Sequence, residues 1–305
     1  MDFCLQQGED LAEGMRRLVK GQLEEAISHL ESGEGDGEEH VHEARKSLKR
    51  VRALLCLRRA ELGDETFRRE NRAIREAARQ LSGMRDAAAL VESLEALSAW
   101  SGEGFGRARA WLVSRKSGSA GNRETAREVV GVLRRAGIRA EGWPLQGQEW
   151  SAIGPGVRWV YARGRRAMRQ ALEERRDELL HEWRKYAKYL WYHSQILQGI
   201  WPPVMGAVEK ELDRLGEVLG ADHDLALLSG VLREELPGNR ARKERDVLGE
   251  LIPRRRAELQ EEAQRLGQRL YAEKPGIFAR RWGGYWAGWR EEGGQRIGSP
   301  GEQGT

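Results

Sequence analysis

The 305-residue chain is polar, with 33% charged residues and a mean hydropathy of −0.70, yet it contains 11 Trp and regularly spaced Leu, Val and Ala, which excludes disorder throughout. No run of 18 apolar residues is present, so we expect no membrane span, and the N-terminal region lacks the basic and apolar parts of a secretion signal. The two cysteines, Cys4 and Cys56, lie far apart in the sequence, so we expect no disulfide. These features together predict a cytoplasmic protein. The 52 basic and 48 acidic residues give a net charge of only +4, so what matters is how charge is sorted over the surface.

Helix-forming residues dominate long stretches without proline, and β-branched residues are sparse, so the sequence predicts an all-α protein. In chain order, the predicted helices span residues 9–32, 40–62, 65–82, 86–100, 104–116, 122–136, 157–178, 180–200, 203–219, 224–236, 240–271 and 276–290. Gly83 and Gly220 are expected to end helices, and Asp86 and Asp224 to cap the helices that follow.

Short segments recur in the same order in the two halves of the chain, which indicates an internal repeat. The matched segments begin at His42 and His181, at Leu81 and Leu219, and at Lys20-Gly21 and Arg163-Gly164. We therefore predict two pseudo-symmetric helical bundles that form one compact unit. The predicted parts are a first half over 1–140, a linker over 141–156, a second half over 157–292 and a flexible tail over 293–305.

Basic residues are sorted to one face of each histidine helix. At 100° per residue, the cations of the first helix fall within about 120°, opposite an apolar face of Ala44, Leu48, Val51 and Leu55. The basic residues of the two helices are His42, Arg45, Lys46, Lys49 and Arg52 in the first, and His181, Arg184, Lys185 and Lys188 in the second. Trp183, Ala187 and Leu190 lie opposite the second set.

This sorting is unfavourable for a solvated helix, because like charges three or four residues apart repel each other. A lone basic face is usually just solvated, but the repetition of the pattern favours a polyanion that offsets the repulsion. Arginine offers a planar fork to phosphate and lysine a mobile point charge. Further candidates for the same site are Arg85, His223, Lys20, Arg163, Arg166 and Arg17.

No catalytic or metal-binding motif stands out. Walker A, G-x-S-x-G and H-E-x-x-H patterns are missing, and the histidines lack the spacing of a zinc-binding helix. We therefore expect no catalytic residue, no metal and no cofactor. The tryptophans are expected to be core residues rather than platforms for bases, and the C-terminal Trp282, Tyr285, Trp286 and Trp289 predict an amphipathic helix docked on the body.

The chain resembles the CHAD family, the conserved-histidine α-helical domains. The resemblance covers roughly residues 8–290. It rests on His42-x-x-Arg45-Lys46-x-x-Lys49-x-x-Arg52, its repeat from His181 to Lys188, Leu219-Gly220-x-x-x-Asp224, the segment Tyr161–Arg166 and the segment Lys274–Arg281. Departures are Trp191 where a basic residue is usual, Ser82 in place of a glycine, and an acidic glycine-rich loop over 31–39.

The resemblance implies two helical bundles around a basic cleft that binds inorganic polyphosphate. Family members occur alone or fused to a triphosphate-hydrolysing tunnel domain, for which this chain has no room, so a binder rather than an enzyme is expected. Its partner would be polyphosphate or another phosphate-rich polyanion, and no membrane is expected to take part. The expected location is the cytoplasm, where such a ligand would allow an association with polyphosphate granules. The alternatives are a nucleic-acid-binding protein that uses the same groove and, with less support, a metal-dependent phosphohydrolase.

Overall fold

Within the part of the chain that the structure describes, eleven α-helices form where apolar residues recur at helical spacing, and there is no strand. The computed structural model describes residues 2–32, 37–81, 86–116, 123–235 and 242–298. The helices are α1 (Leu11–Glu31), α2 (Gly37–Leu57), α3 (Arg59–Gln80), α4 (Asp86–Ser101), α5 (Gly106–Lys116), α6 (Arg123–Glu141), α7 (Trp150–Glu174), α8 (Asp177–Ile196), α9 (Pro202–Glu235), α10 (Arg242–Leu270) and α11 (Pro275–Gly298). A short 3-10 helix, Gln198–Ile200, joins α8 to α9. The predicted all-α class is confirmed.

Two groups of four helices pack in the same chain order. In the first group α2 packs on α1 and α3, and α6 closes the group against α1 and α3. In the second group α8 packs on α7 and α9, while α10 contacts α9 and α7. This order is the one that an internal duplication predicts, and the duplication itself stays a prediction.

The two groups share one hydrophobic core. Helix α2 packs on α7 and α8, α3 packs on α7, and the α4–α5 pair lies against α9 and α10. Helices from the first 140 residues therefore pack directly on the second group, and the predicted domain boundaries are not visible as a gap between separate cores. Among the segments described, no helix is long and apolar enough to cross a bilayer.

The apolar faces assigned from sequence are buried. Leu48, Leu55, Trp183 and Ala187 are completely buried, and the aromatic side of α11 packs on the body through Trp282, Trp286 and Trp289. Burial of each large apolar side chain stabilises the fold by roughly 1.5–3 kcal/mol. The apolar faces of α2 and α8 therefore determine which side of each helix is exposed to solvent.

Several predicted helix boundaries are wrong. Helix α9 continues through Gly220 to Glu235, so Gly220 ends no helix and Asp224 caps none. The preceding Asp222 is buried and accepts hydrogen bonds from Arg256 Nε and Gln260 Nε2, both over 2.9 Å. These bonds tie the segment to α10 and favour continuation of the helix. Asp86 is the first residue of α4, and Gly83 lies outside the described residues.

Two further boundaries differ from the prediction. Helix α7 begins at Trp150 and runs through Pro155, because the neighbouring Ile153 and Val157 are buried against the body. The segment predicted as a linker is therefore partly helical. At the other end of the chain, α11 continues to Gly298, so the predicted flexible tail begins as helix. Residues 299–305 lie outside the described part.

Candidate anion-binding groove

The helices that carry the two histidine motifs, α2 and α8, pack against each other. At their crossing the buried His193 donates from Nε2 to the carbonyl oxygen of Ala53 over 2.9 Å. Beside this bond the guanidinium of Arg52 lies over the ring of Tyr189, 5.6 Å from its centroid. The tertiary structure thus brings into contact two motifs that lie well apart in the sequence.

The two helices run antiparallel. Arg52 and Cys56 of α2 meet Tyr189 and Lys185 of α8 in reverse order, since the Arg52 guanidinium lies over the Tyr189 ring and the charge of Lys185 acts on the Cys56 thiol. His42 and His181 are therefore on opposite sides of the crossing, each about 12 to 15 Å from it along its own helix at 1.5 Å per residue. The cations of the two motifs follow one another across the crossing, an arrangement suited to an extended ligand.

Aromatic rings hold several of these cations at the crossing. Lys185 Nζ lies 4.6 Å from the centroid of Tyr186, and the Arg163 guanidinium lies 5.5 Å from that of Trp159. Tyr186 in turn packs edge-on against both Trp159 and Tyr189, with centroids 5.7 and 6.0 Å apart. A ring face positions a cation without adding negative charge, although Lys185 also forms an ion pair with Glu182 of the same helix.

Arg59 belongs to the same cluster and is absent from the sequence-based set. Its guanidinium lies 4.6 Å from the centroid of Trp159 and 4.9 Å from that of Phe67, at the start of α3. The sequence contains no signal for it, since Arg59 follows the histidine helix after a break at Arg58 and reaches its aromatic partners only through packing of α3 on α7.

Toward α9, two side chains of the basic face of α8 lie over glycines of that helix. A Cβ atom at Gly216 would be 2.7 Å from Lys188 Cε, and one at Gly220 would be 3.4 Å from Arg184 Nη2. Lys188 also contacts Asp213, at 3.1 Å, and the ring of Trp191, at 4.1 Å from its centroid. The bare helix surface at Gly216 and Gly220 therefore leaves room for these cations.

Arg184 and Lys188 line a cavity of about 430 Å³ between α4, α8, α9 and α10. Arg255 adds a third cation, and Glu92, Glu217 and Asp224 add acidic groups. The cavity is thus of mixed charge.

His181 and His223 face each other across α8 and α9, with ring centroids 5.0 Å apart. Although His181 is exposed as a residue, partial burial of its ring lowers its pKa, and repulsion by His223, Arg184 and Lys185 lowers it further. His223 Nδ1 lies 3.1 Å from Asp224 Oδ1. An anion bound here would reduce the repulsion and favour protonation of the His181 ring.

The basic face of α2 is half-buried along its length. Lys46 pairs with Glu43 at 3.2 Å, the same carboxylate lies 3.7 Å from His42 Nε2, and Arg52 donates from Nε to Asn71 Oδ1 over 3.0 Å. Arg45 and Lys49 lie on the same face, at the angular positions expected from the sequence.

The remaining predicted residues lie apart from the crossing. Arg17 is held by Glu9, at 2.6 Å, and by the Cys4 carbonyl, so its guanidinium anchors the N-terminal segment. Lys20 is exposed on α1 and lies 3.9 Å from Glu24. Arg166 is exposed on α7, and Arg85 lies outside the described residues.

The model of the CHAD domain family matches residues 17–233, more than two thirds of the chain. The protein belongs to the CHAD family. No curated protein matches this CHAD chain. Among solved structures it is similar to the CHAD domain from the plant Ricinus communis, with a TM-score of 0.58 and 18% identity over 90% of this chain and 96% of that one. It is also similar to PptA from Streptomyces chartreusis, with a TM-score of 0.54 and 16% identity over 87% of this chain and all of the other.

Proposed function

We propose that this CHAD protein binds inorganic polyphosphate, without chemical conversion, along a groove formed by the basic faces of α2 and α8. The groove cations are His42, Arg45, Lys46, Lys49 and Arg52 on α2 and His181, Arg184, Lys185 and Lys188 on α8. The observation that carries the proposal is the antiparallel contact of the two histidine helices, which places Arg52 and Lys185 on adjoining tyrosine rings. An extended polyanion can then pass from the cations of one motif to those of the other. Membership in the CHAD family supports the same ligand.

Charge neutralisation would dominate this binding. Each phosphate bound by Lys or Arg releases condensed counterions, so affinity falls as salt rises. Binding also relieves the repulsion between like charges on one helix face, which costs a few tenths of a kcal/mol per pair in the free protein. Both contributions grow with the number of phosphates in contact.

The aromatic residues favour polyphosphate over nucleic acid. Tyr186 and Tyr189 are buried at the crossing, and Lys188 covers Trp191, so these rings support cations instead of offering open faces for bases to stack on. A nucleic-acid-binding protein remains the second candidate because the same cations would accept a sugar–phosphate chain. Competition between long-chain polyphosphate and single-stranded RNA of equal charge, at fixed salt, separates the two.

The decisive experiment reverses four groove charges in one variant, Arg45→Glu, Lys49→Glu, Arg184→Glu and Lys188→Glu. We expect it to lose binding of long-chain polyphosphate in a fluorescence titration while keeping the helical circular dichroism of the wild type. The matched control reverses four exposed arginines of α10 and α11, Arg242, Arg265, Arg269 and Arg280, and should still bind. Binding by the groove variant at wild-type affinity would refute the assigned site.

A metal-dependent phosphohydrolase makes a different prediction. It would release phosphate from polyphosphate when a divalent metal is added, and His42→Ala would abolish the release. Our proposal expects the polymer to be recovered at its original length under the same conditions.

A further inference from the structure

A row of arginines follows the exposed face of α3, outside the groove described above. Arg68, Arg72, Arg75 and Arg79 fall within about 60° of one another around the helix. All four are exposed, and the side chains of Arg68 and Arg79 are 76% and 77% accessible. The row extends over about 16 Å of the helix at 1.5 Å per residue.

This row carries more positive charge than its neighbours neutralise. Asp64 lies 3.5 Å from Arg68, and the single carboxylate of Glu76 serves both Arg75, at 3.6 Å, and Arg79, at 2.9 Å. Within the described chain, no carboxylate lies within the 4.0 Å ion-pair distance of Arg72. Three successive arginine pairs stand three or four residues apart, an arrangement that is repulsive in the absence of a ligand.

The row lies alongside the groove. Arg52 of the groove donates to Asn71 of α3 over 3.0 Å, and Arg75 and Arg79 stand one and two turns beyond Asn71. On α2, Lys49 and Arg45 stand one and two turns before Arg52. Because α2 and α3 are consecutive, packed helices that run antiparallel, these two sets of cations extend in the same direction side by side.

We propose that the α3 arginine row, Arg68, Arg72, Arg75 and Arg79, is a second track for the same polyphosphate chain, which continues from the groove past Arg52 and Asn71. This inference rests on the proposed function and adds that the binding surface is wider than the groove. Among the described residues the large exposed apolar side chains are Val113, Ile138, Trp201, Leu227 and Ile277, and none of them lies on the helix that carries the row. It therefore lacks the apolar centre of a protein interface and the open rings that stack bases.

The test compares two charge-matched double variants, Arg72→Gln/Arg75→Gln on α3 and Arg265→Gln/Arg269→Gln on the exposed side of α10. Each is titrated with tripolyphosphate, which is too short to occupy both tracks, and with long-chain polyphosphate. We expect the α3 variant to bind tripolyphosphate as the wild type does and to bind the long polymer roughly 3- to 10-fold more weakly, since two phosphate contacts are lost. The α10 variant should match the wild type with both ligands.

The outcomes separate this inference from the proposed function. Equal affinity of the α3 and α10 variants for the long polymer would overturn the second track and leave the groove assignment intact. Loss of tripolyphosphate binding by the α3 variant would also overturn it, because the row would then belong to the short-chain site. Failure of the wild-type protein to bind polyphosphate of any length would refute the proposed function together with the inference. An α3 variant that loses affinity for single-stranded RNA but not for polyphosphate would assign the row to another ligand and overturn the second track.

Discussion

His193 illustrates how a single residue can matter for the fold without taking part in binding. It belongs to the histidine helix α8 but is completely buried, and it donates to the Ala53 carbonyl at the contact between α2 and α8. Burial lowers its pKa to about 4, and the hydrogen bond to Ala53 opposes this shift only in part. The ring therefore stays neutral in the folded protein over a range in which an unfolded chain would protonate it.

This difference predicts that stability depends on pH. Between pH 6.5 and about 4 the unfolded chain takes up a proton that the folded His193 does not, so the free energy of unfolding falls as pH falls. The His193 contribution to this loss approaches about 3 kcal/mol at the low end. In His193→Gln, which can keep a donor to Ala53, that part of the pH dependence should vanish. Urea denaturation at stepped pH measures it, and an unchanged slope in the variant would contradict the assignment.

At the scale of helices, the groove depends on how closely α7 approaches the end of α2. A Cβ atom at Gly156 would lie 2.1 Å from the Leu57 carbonyl oxygen and 2.6 Å from that of Cys56. These obstacles are backbone atoms and cannot rotate aside. The glycine thus lets α7 carry Trp159 and Arg163 to the crossing of α2 and α8.

We accordingly predict opposite effects for two glycine-to-alanine changes within helices. Gly156→Ala should destabilise the protein by roughly 1–3 kcal/mol or more, because the added methyl group forces α7 away from α2. Gly249→Ala on α10, where a Cβ meets nothing within 4 Å, should instead stabilise it by about 0.5–1 kcal/mol through helix propensity. Thermal denaturation of both variants provides the comparison. A stable Gly156→Ala protein would show that the close approach is not required.

At the scale of the whole molecule, 52 basic and 48 acidic residues nearly cancel, so overall charge attracts a polyanion only weakly. Binding must come from local segregation of charge. The acidic residues pair with cations at many surface positions, such as Arg214 with Glu262 and Arg134 with Glu31. At the crossing of α2 and α8, tyrosine and tryptophan rings also contact cations, in addition to acidic side chains.

Local segregation predicts a measurable salt dependence. The logarithm of the association constant for long-chain polyphosphate should fall linearly with the logarithm of salt concentration between about 50 and 200 mM. By analogy with nucleic acids, Arg45→Gln/Lys188→Gln should reduce the steepness by about 1.4 to 1.8, two phosphate contacts at 0.7–0.9 each. The charge-matched Arg265→Gln/Arg269→Gln protein should keep the wild-type slope. An affinity independent of salt would rule out counterion release as the main driving force.

From the sequence alone one can predict the helical class, the buried faces of α2 and α8 and the placement of His42, Arg45 and Lys49 on one face, because helical periodicity is a local property that needs no partner. Some local signals gave wrong predictions. Pro155 and Gly220 each indicate a helix break, yet packing against neighbouring helices keeps both residues inside continuous helices. The antiparallel crossing of α2 and α8, and the presence of Arg59 at it, follow from how the helices pack and could not be predicted from local patterns. The same packing pairs Arg17 with Glu9 and places the arginines of α3 beside the groove. These are contacts between distant segments, fixed by which apolar faces bury one another, and no local pattern encodes them.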